Sequence, residues 1–136
     1  MFKFIVLIST ISLSTFATDK IDIAWTIYME SRGEPMVGKL AVATVIYNRS
    51  IEKGISCGEV VRSKPYQFSC WKKSKPRLIN NKVFSECLFI ANMLHRGSFQ
   101  PMDDWNHFFN ASLCNPYWKD SMVNIRVIGN HTFGTI

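Results

Sequence analysis

Acidic residues are scarce in this chain. It has ten, against 16 lysines and arginines, in 136 residues. The formal net charge of +6 draws such a protein to anionic polymers: nucleic acid, a membrane surface or a bacterial wall. Histidines are few, and His95, His107 and His131 stand far apart. No His-x-x-x-His or His-Glu-x-x-His pattern occurs, so a zinc hydrolase has no support. No two of the four cysteines have the close spacing of a zinc knuckle. Ser69 lies in no Gly-x-Ser-x-Gly frame, which argues against a serine hydrolase. No apolar run reaches the roughly 20 residues of a membrane span. Nucleic-acid motifs, internal repeats, low-complexity tracts and interdomain linkers are missing too. No motif asks for a metal or a cofactor, and no coiled-coil pattern asks for a partner copy. A monomer with no stable membrane insertion and no nucleic-acid ligand is expected.

The length suits one domain. Residues 1–17 read as an export signal: Lys3, an apolar stretch from Phe4 to Phe16, and small Ala17 at the cleavage point. Residues 18–136 are then the mature, secreted or periplasmic domain. In an exported chain Cys57, Cys70, Cys87 and Cys114 are expected to form disulfides, with three pairings open.

Ile21 to Ser31 carries a helical apolar stripe, with Asp22 in its first turn. Gly33 and Pro35 end it. Val37 to Lys53 is apolar on most sides, which predicts a central buried helix closed by Gly54. Residues 54–81 read as irregular. A third helix spans Asn81 to Arg96, with an asparagine cap and Gly97 as its stop. Met122 to Phe133 contains Val123, Ile125 and Val127, alternating as in a strand. The fold class expected is α+β: a small helix-rich domain with a short C-terminal β element.

Among the acids, Asp19, Asp22, Glu52, Glu86 and Asp120 read as surface charges. Glu30 and Glu34 alone flank a turn with aromatic and apolar neighbours. A carboxyl group partly screened from water stays protonated near neutral pH and serves as a general acid. The competing reading pairs Glu30 structurally with Arg32 or Arg49. Gln67-Phe-Ser-Cys-Trp71 combines an amide, a hydroxyl and two aromatic faces, a mixture suited to carbohydrate. Arg62 to Lys82 contains seven basic residues and no acid. It suits an anionic polymer or simply a solvated surface.

Three blocks carry a family resemblance. The first is Tyr28-Met-Glu-Ser-Arg-Gly-Glu-Pro35 running into Gly38-Lys-Leu-Ala-Val-Ala-Thr-Val-Ile-Tyr-Asn-Arg49. The second is Cys57-Gly-Glu-Val-Val61 followed by Gln67-Phe-Ser-Cys-Trp71. The third is Asn106-His-Phe-Phe-Asn110, with Pro116-Tyr-Trp118 and Ile128-Gly-Asn-His-Thr-Phe133. In these the chain resembles the SleB/CwlJ-type cell-wall hydrolases. The resemblance implies a lysozyme-like domain that cleaves peptidoglycan glycan strands, with Glu30 as the catalytic glutamate. Ser31 stands where that family usually has alanine. Tyr28, Arg32, Glu34, Gln67, Ser69, Trp71 and His107 are expected to line or support the substrate cleft. Lys72, Lys73 and Lys75 are expected to meet anionic wall groups. No convincing second carboxylate accompanies Glu30, which favours a lytic transglycosylase over a two-carboxylate glycosidase. A hydrolytic muramidase and a non-catalytic peptidoglycan-binding protein are the alternatives.

Overall fold

The computed structural model describes residues 11–136, with side chains from Thr18 onward. The expected signal segment therefore falls partly on residues 1–10, outside the described residues. Residues 11–17 contribute only helical backbone.

Among the described residues five helices and three short strands follow in order: α1 (Ile11–Ser31), α2 (Met36–Lys53), α3 (Cys57–Arg62), α4 (Cys70–Lys73), α5 (Lys82–Arg96), β1 (His107–Asn110), β2 (Val123–Ile128) and β3 (His131–Thr135). A 3-10 turn at Tyr117–Ser121 precedes β2. Helix α1 begins well before the expected Ile21, because no glycine or proline interrupts Ile11 to Ser31. Asp22 is consequently not in a first turn. It is buried, and Nη1 of Arg62 donates to it at 3.0 Å and to Asp19 at 2.6 Å. These two acids, read from sequence as solvated, clamp α3 onto α1.

Helix α2 ends on Gly54, whose φ of 65° lets its N–H close the helix on the Ile51 and Ser50 carbonyls. Helix α5 starts on Asn81, whose side chain accepts the Phe84 N–H, and stops on Gly97. The core gathers Trp25, Ile27, Val42, Val45, Ile46, Val60, Phe68, Phe84, Ile90, Trp105 and Phe133. Helix α2 is buried along most of its length, as its composition predicts. The stretch expected to be irregular contains α3 and α4, each too short to show a period.

The antiparallel sheet has the order β1-β3-β2. Phe108 and Phe133 pair in the β1–β3 register and stack at 5.5 Å between ring centroids. A bulge lies between Val123 and Arg126, with Asn124 at φ 54°. The Asn124 carbonyl accepts from Trp105 Nε1 at 3.0 Å, and its amide donates to Asp103 and Asp104. The strand forms, but the bulge breaks the expected alternation, and Val123, Ile125 and Val127 are all exposed.

The expected disulfides do not form. All four thiols are free. Cys57 starts α3, Cys70 starts α4 and Cys87 lies within α5, each buried on a different element, while Cys114 is exposed after β1. The buried three pack as small apolar groups. Among the described residues no helix is long and apolar enough to cross a membrane, and no three His, Cys, Asp or Glu side chains cluster to hold a metal ion.

Candidate active site

Glu30 occupies the last turn of α1, one residue before its end. The helix stops because Arg32 and Gly33 turn and Pro35 opens α2. That turn is held from both sides. Lys39 Nζ donates to the Glu34 carbonyl at 2.5 Å. The main-chain N–H of Asn130 donates to Glu34 Oε1 at 3.1 Å. Buried Ser31 donates its hydroxyl to the Ile27 carbonyl at 2.6 Å, so it closes the helix without entering the site.

Glu30 lies in a pocket of mixed character. Burial raises its carboxyl pKa, against hydrogen bonds from the Cys70 thiol and main-chain N–H and the positive charges of Arg49 and Lys73. Burial, then the nearby Glu30 charge, pushes the Cys70 thiol up to about 12, so it stays protonated and donates. Arg49 is itself screened from water. Its Nε donates to the Asn106 carbonyl at 2.8 Å, and its guanidinium lies 5.4 Å over the Phe68 ring. Its Nη1 is buried with no hydrogen-bond partner. Burial lowers its pKa to about 10, while Glu52 and Glu30 pull it back up.

Asn106 ties this group to the sheet. Its amide donates to Glu52 Oε1 and to the Ile136 carbonyl, each at 2.9 Å. Its Oδ1 lies 2.9 Å from His107 Nδ1. Burial, then the Arg49 charge, lowers the His107 pKa. The His107 ring meets Trp118 edge-on at 4.9 Å. Glu30, Cys70, Arg49, Lys73 and His107 thus share one electrostatic neighbourhood where α1, α2, α4 and β1 converge.

The other expected site residues are placed differently. Tyr28 lies about 200° around the helix from Glu30, at 3.6 residues per turn. Its hydroxyl accepts from Asn81 Nδ2 at 3.1 Å and its ring meets Phe84 edge-on. Arg32 is exposed and lies over the Tyr28 ring. It makes no ion pair with Glu34 among the described residues. Glu34 is buried beneath the β2–β3 turn, with His131 Nδ1 3.7 Å away. Gln67 is exposed and donates to the Pro65 carbonyl. Ser69 is exposed at the N-cap of α4, with no side-chain cap bond. Trp71 is half-buried: its Nε1 donates to Thr26 Oγ1 at 3.0 Å, and its ring stacks on Tyr66 and meets Trp25 edge-on.

Cys70 escaped the sequence reading as a site residue, although it stands inside the Gln67–Trp71 block. Asn106 escaped too. A cavity of about 410 Å³ lies at the opposite end of the helices, lined by Asp19, Tyr47, Cys57, Gly58 and Leu94, and it does not include Glu30.

A family profile described as cell wall hydrolase matches residues 33–134, starting just after Glu30. A spore cortex-lytic enzyme of Bacillus cereus is 28% identical over 108 residues, which is 79% of this chain. The chain spans 40% of the length of that relative. The catalytic domain of the germination-specific lytic transglycosylase SleB from Bacillus anthracis superposes with a TM-score of 0.69 at 27% identity. That match covers 87% of this chain and 94% of the other. The SleB catalytic domain of Bacillus cereus gives the same TM-score at 28% identity, covering 88% and 91%. The fold is thus α+β and lysozyme-like, and the chain belongs to the cell wall hydrolase family.

Proposed function

We propose that this chain cleaves the glycan strands of peptidoglycan at the MurNAc–GlcNAc bond, as a lytic transglycosylase with Glu30 as its one acid and base. Glu30 in its protonated form gives its proton to the glycosidic oxygen. The bond from that oxygen to the muramic C1 breaks, and the next sugar leaves with a free 4-hydroxyl. The carboxylate so formed then takes the proton of the muramic 6-hydroxyl, whose oxygen closes on C1. A 1,6-anhydro sugar results and Glu30 is protonated again.

One observation carries this reading: burial, Cys70, Arg49 and Lys73 set the Glu30 carboxyl, while the nearby Glu52 carboxylate is held by Asn106 beside Arg49. A glycosidase that uses a protein nucleophile or base places its second carboxylate about 5–10 Å away. A like charge so near would itself raise the Glu30 pKa. Here burial raises it, which favours the protonated acid the first step needs. Arg49 and Lys73 support the ionised form that the second step needs. The named activity of the SleB relative points the same way.

The setting we propose is outside the membrane. Residues 1–17 act as a signal peptide, and the mature protein works as a monomer at the cell wall, with no cofactor. Sequencing the N-terminus of the exported protein tests this, with Thr18 the expected first residue.

Mass spectrometry of purified peptidoglycan, digested by wild-type protein and by Glu30→Gln, tests the chemistry. Anhydro-muropeptides from wild type alone are expected. Reducing ends would replace the anhydro route with water attack. Wall binding without fragments would leave a peptidoglycan-binding protein.

A further inference from the structure

The acid-free segment has an unusual build. Arg62 alone of its basic residues forms an ion pair among the described residues, with Asp19 and Asp22. Lys72, Lys73, Lys75, Arg77 and Lys82 are exposed and form no salt bridge there. After α4 the backbone runs without helix or strand from Ser74 to Asn80. This strap is pinned at both ends to α1. At one end Trp71 Nε1 donates to Thr26 Oγ1 at 3.0 Å. At the other Asn81 Nδ2 donates to the Tyr28 hydroxyl at 3.1 Å.

Exposure alternates along the strap. Lys73, Lys75 and Arg77 are exposed, while Ser74 and Pro76 are half-buried. In extended chain, alternate residues share a side and stand about 6.5 Å apart. The result is an outward-facing row of cations that begins beside the acid. The first anchor, Thr26, stands one helical turn before Glu30 on the same face of α1, and the Lys73 charge acts on Glu30. A solvated surface needs no such anchoring and no such row.

We infer that this strap binds the carboxylates of the peptide stems carried by the muramic sugars. The inference rests on the proposed peptidoglycan substrate. A stem leaves the muramic ring at the lactyl ether on C3, on the same sugar whose C1–oxygen bond breaks when Glu30 protonates that oxygen. It carries several free carboxylates along an extended peptide. A row of exposed cations that starts beside the acid matches that layout. The strap then selects stretches of glycan whose stems are intact.

The test uses Glu30→Gln protein, so that no cleavage disturbs binding. Its affinity is measured by co-sedimentation with peptidoglycan freed of secondary polymers, before and after an amidase removes the stems. A second protein adds Lys75→Gln and Arg77→Gln, the two cations of the row that do not act on Glu30. Removing stems is expected to weaken binding of the first protein by about tenfold, the scale of a few exposed charge pairs acting together. Raising salt should shrink that difference, because exposed charges are screened. The strap variant should bind intact and stripped strands alike. Equal binding of the first protein to both strands overturns the proposal. So does a strap variant that still discriminates. Loss of binding only when a poly(glycerol phosphate) competitor is added, with no effect of the stems, overturns it in favour of a phosphodiester wall polymer. The catalytic reading is judged separately, by fragments from wild-type protein. Stem-sensitive binding without fragments would remove that reading and leave the strap standing.

Discussion

The main-chain N–H of Asn130 donates to Oε1 of Glu34 at 3.1 Å, joining the turn after Glu30 to the β2–β3 hairpin. The Glu34 side chain is 8% exposed, as is that of His131 beside it. Glu34 was expected in the substrate cleft. Its position instead makes it the peg on which the C-terminal sheet hangs. The sheet in turn brings Asn106 and His107 to Arg49, so the peg bears on the site from a distance.

Removing the peg should loosen the hairpin. Glu34→Ala leaves the Asn130 N–H without its acceptor. The bond lies at an exposed turn, so its loss should cost about 0.5–1.5 kcal/mol. Urea denaturation should show a lower midpoint with an unchanged slope. Glu34→Gln keeps an acceptor oxygen and should cost less. Equal stability of Glu34→Ala and wild type would show that the hairpin is held elsewhere.

Gly129 should prove intolerant for two separable reasons. Its φ is +58°, a region that disfavours residues with a Cβ by about 1–2 kcal/mol. A Cβ there would also lie 1.9 Å from Glu34 Oε2, well inside contact distance. Gly129→Ala should therefore destabilise by more than the backbone term alone. In a double-mutant cycle with Glu34→Ala the steric part vanishes, so the two effects should sum to more than the double variant loses. Strict additivity would mean that Glu34 moves aside freely.

Acid should weaken the fold through histidines. Burial lowers the His131 pKa from its ordinary value, with the Glu34 charge opposing, and His107 is lowered by burial and by Arg49. For a group lowered in the folded state, the unfolded chain binds the proton first. The stability each neutral ring contributes is present above the ordinary histidine value of about 6.5, and is lost as pH falls through the folded value. Chemical denaturation from pH 7.5 down to pH 5 should show a steady loss. His131→Gln should flatten that loss in part, leaving the His107 share. An unchanged pH slope in the variant would show that His131 titrates alike in both states.

Where the sequence was informative, the signal was local. Gly54, Asn81 and Gly97 mark helix ends that depend only on the chain beside them. The apolar composition of α2 reports its burial for the same reason. The short α3 and α4 have no period to read. Asp22 misled because its partner, Arg62, comes 40 residues later. Val123, Ile125 and Val127 show the strand but not its burial, since β2 is a bulged edge strand exposed on both sides as far as Val127. The site divides likewise. The turn around Glu30 is a local motif, whereas its contacts with Cys70, Arg49 and Lys73 exist only after α1, α2 and α4 meet.

The cysteines should respond to a thiol reagent as four free groups. Cys114 is exposed and should react at once in the native protein, while Cys57, Cys70 and Cys87 are buried and should react only on unfolding. A reductant should leave the thermal midpoint unchanged, because no cross-link restricts the unfolded chain. A midpoint that drops on reduction would restore the disulfide expectation.

Cys70 should set the pH range over which Glu30 acts. As a general acid Glu30 works while protonated, so activity should fall as pH rises through its pKa. Burial holds that pKa above the ordinary carboxyl value, and the Cys70 thiol and N–H pull it down by hydrogen-bonding the ionised form. Cys70→Ala removes the side-chain donor, so the pKa should rise and the alkaline limb of kcat/KM should move to higher pH. Cys70→Ser offers a stronger donor to the same carboxylate, so the limb should move to lower pH. The thiol itself does not titrate in the working range, its own pKa being pushed up to about 12. Opposite displacement by the two variants is the signature of a hydrogen bond to the acid. If both variants lose activity at every pH with the limb unmoved, the Cys70 side chain merely fills space between α4 and α1, and the acid is tuned by burial, the main-chain N–H of residue 70, Arg49 and Lys73.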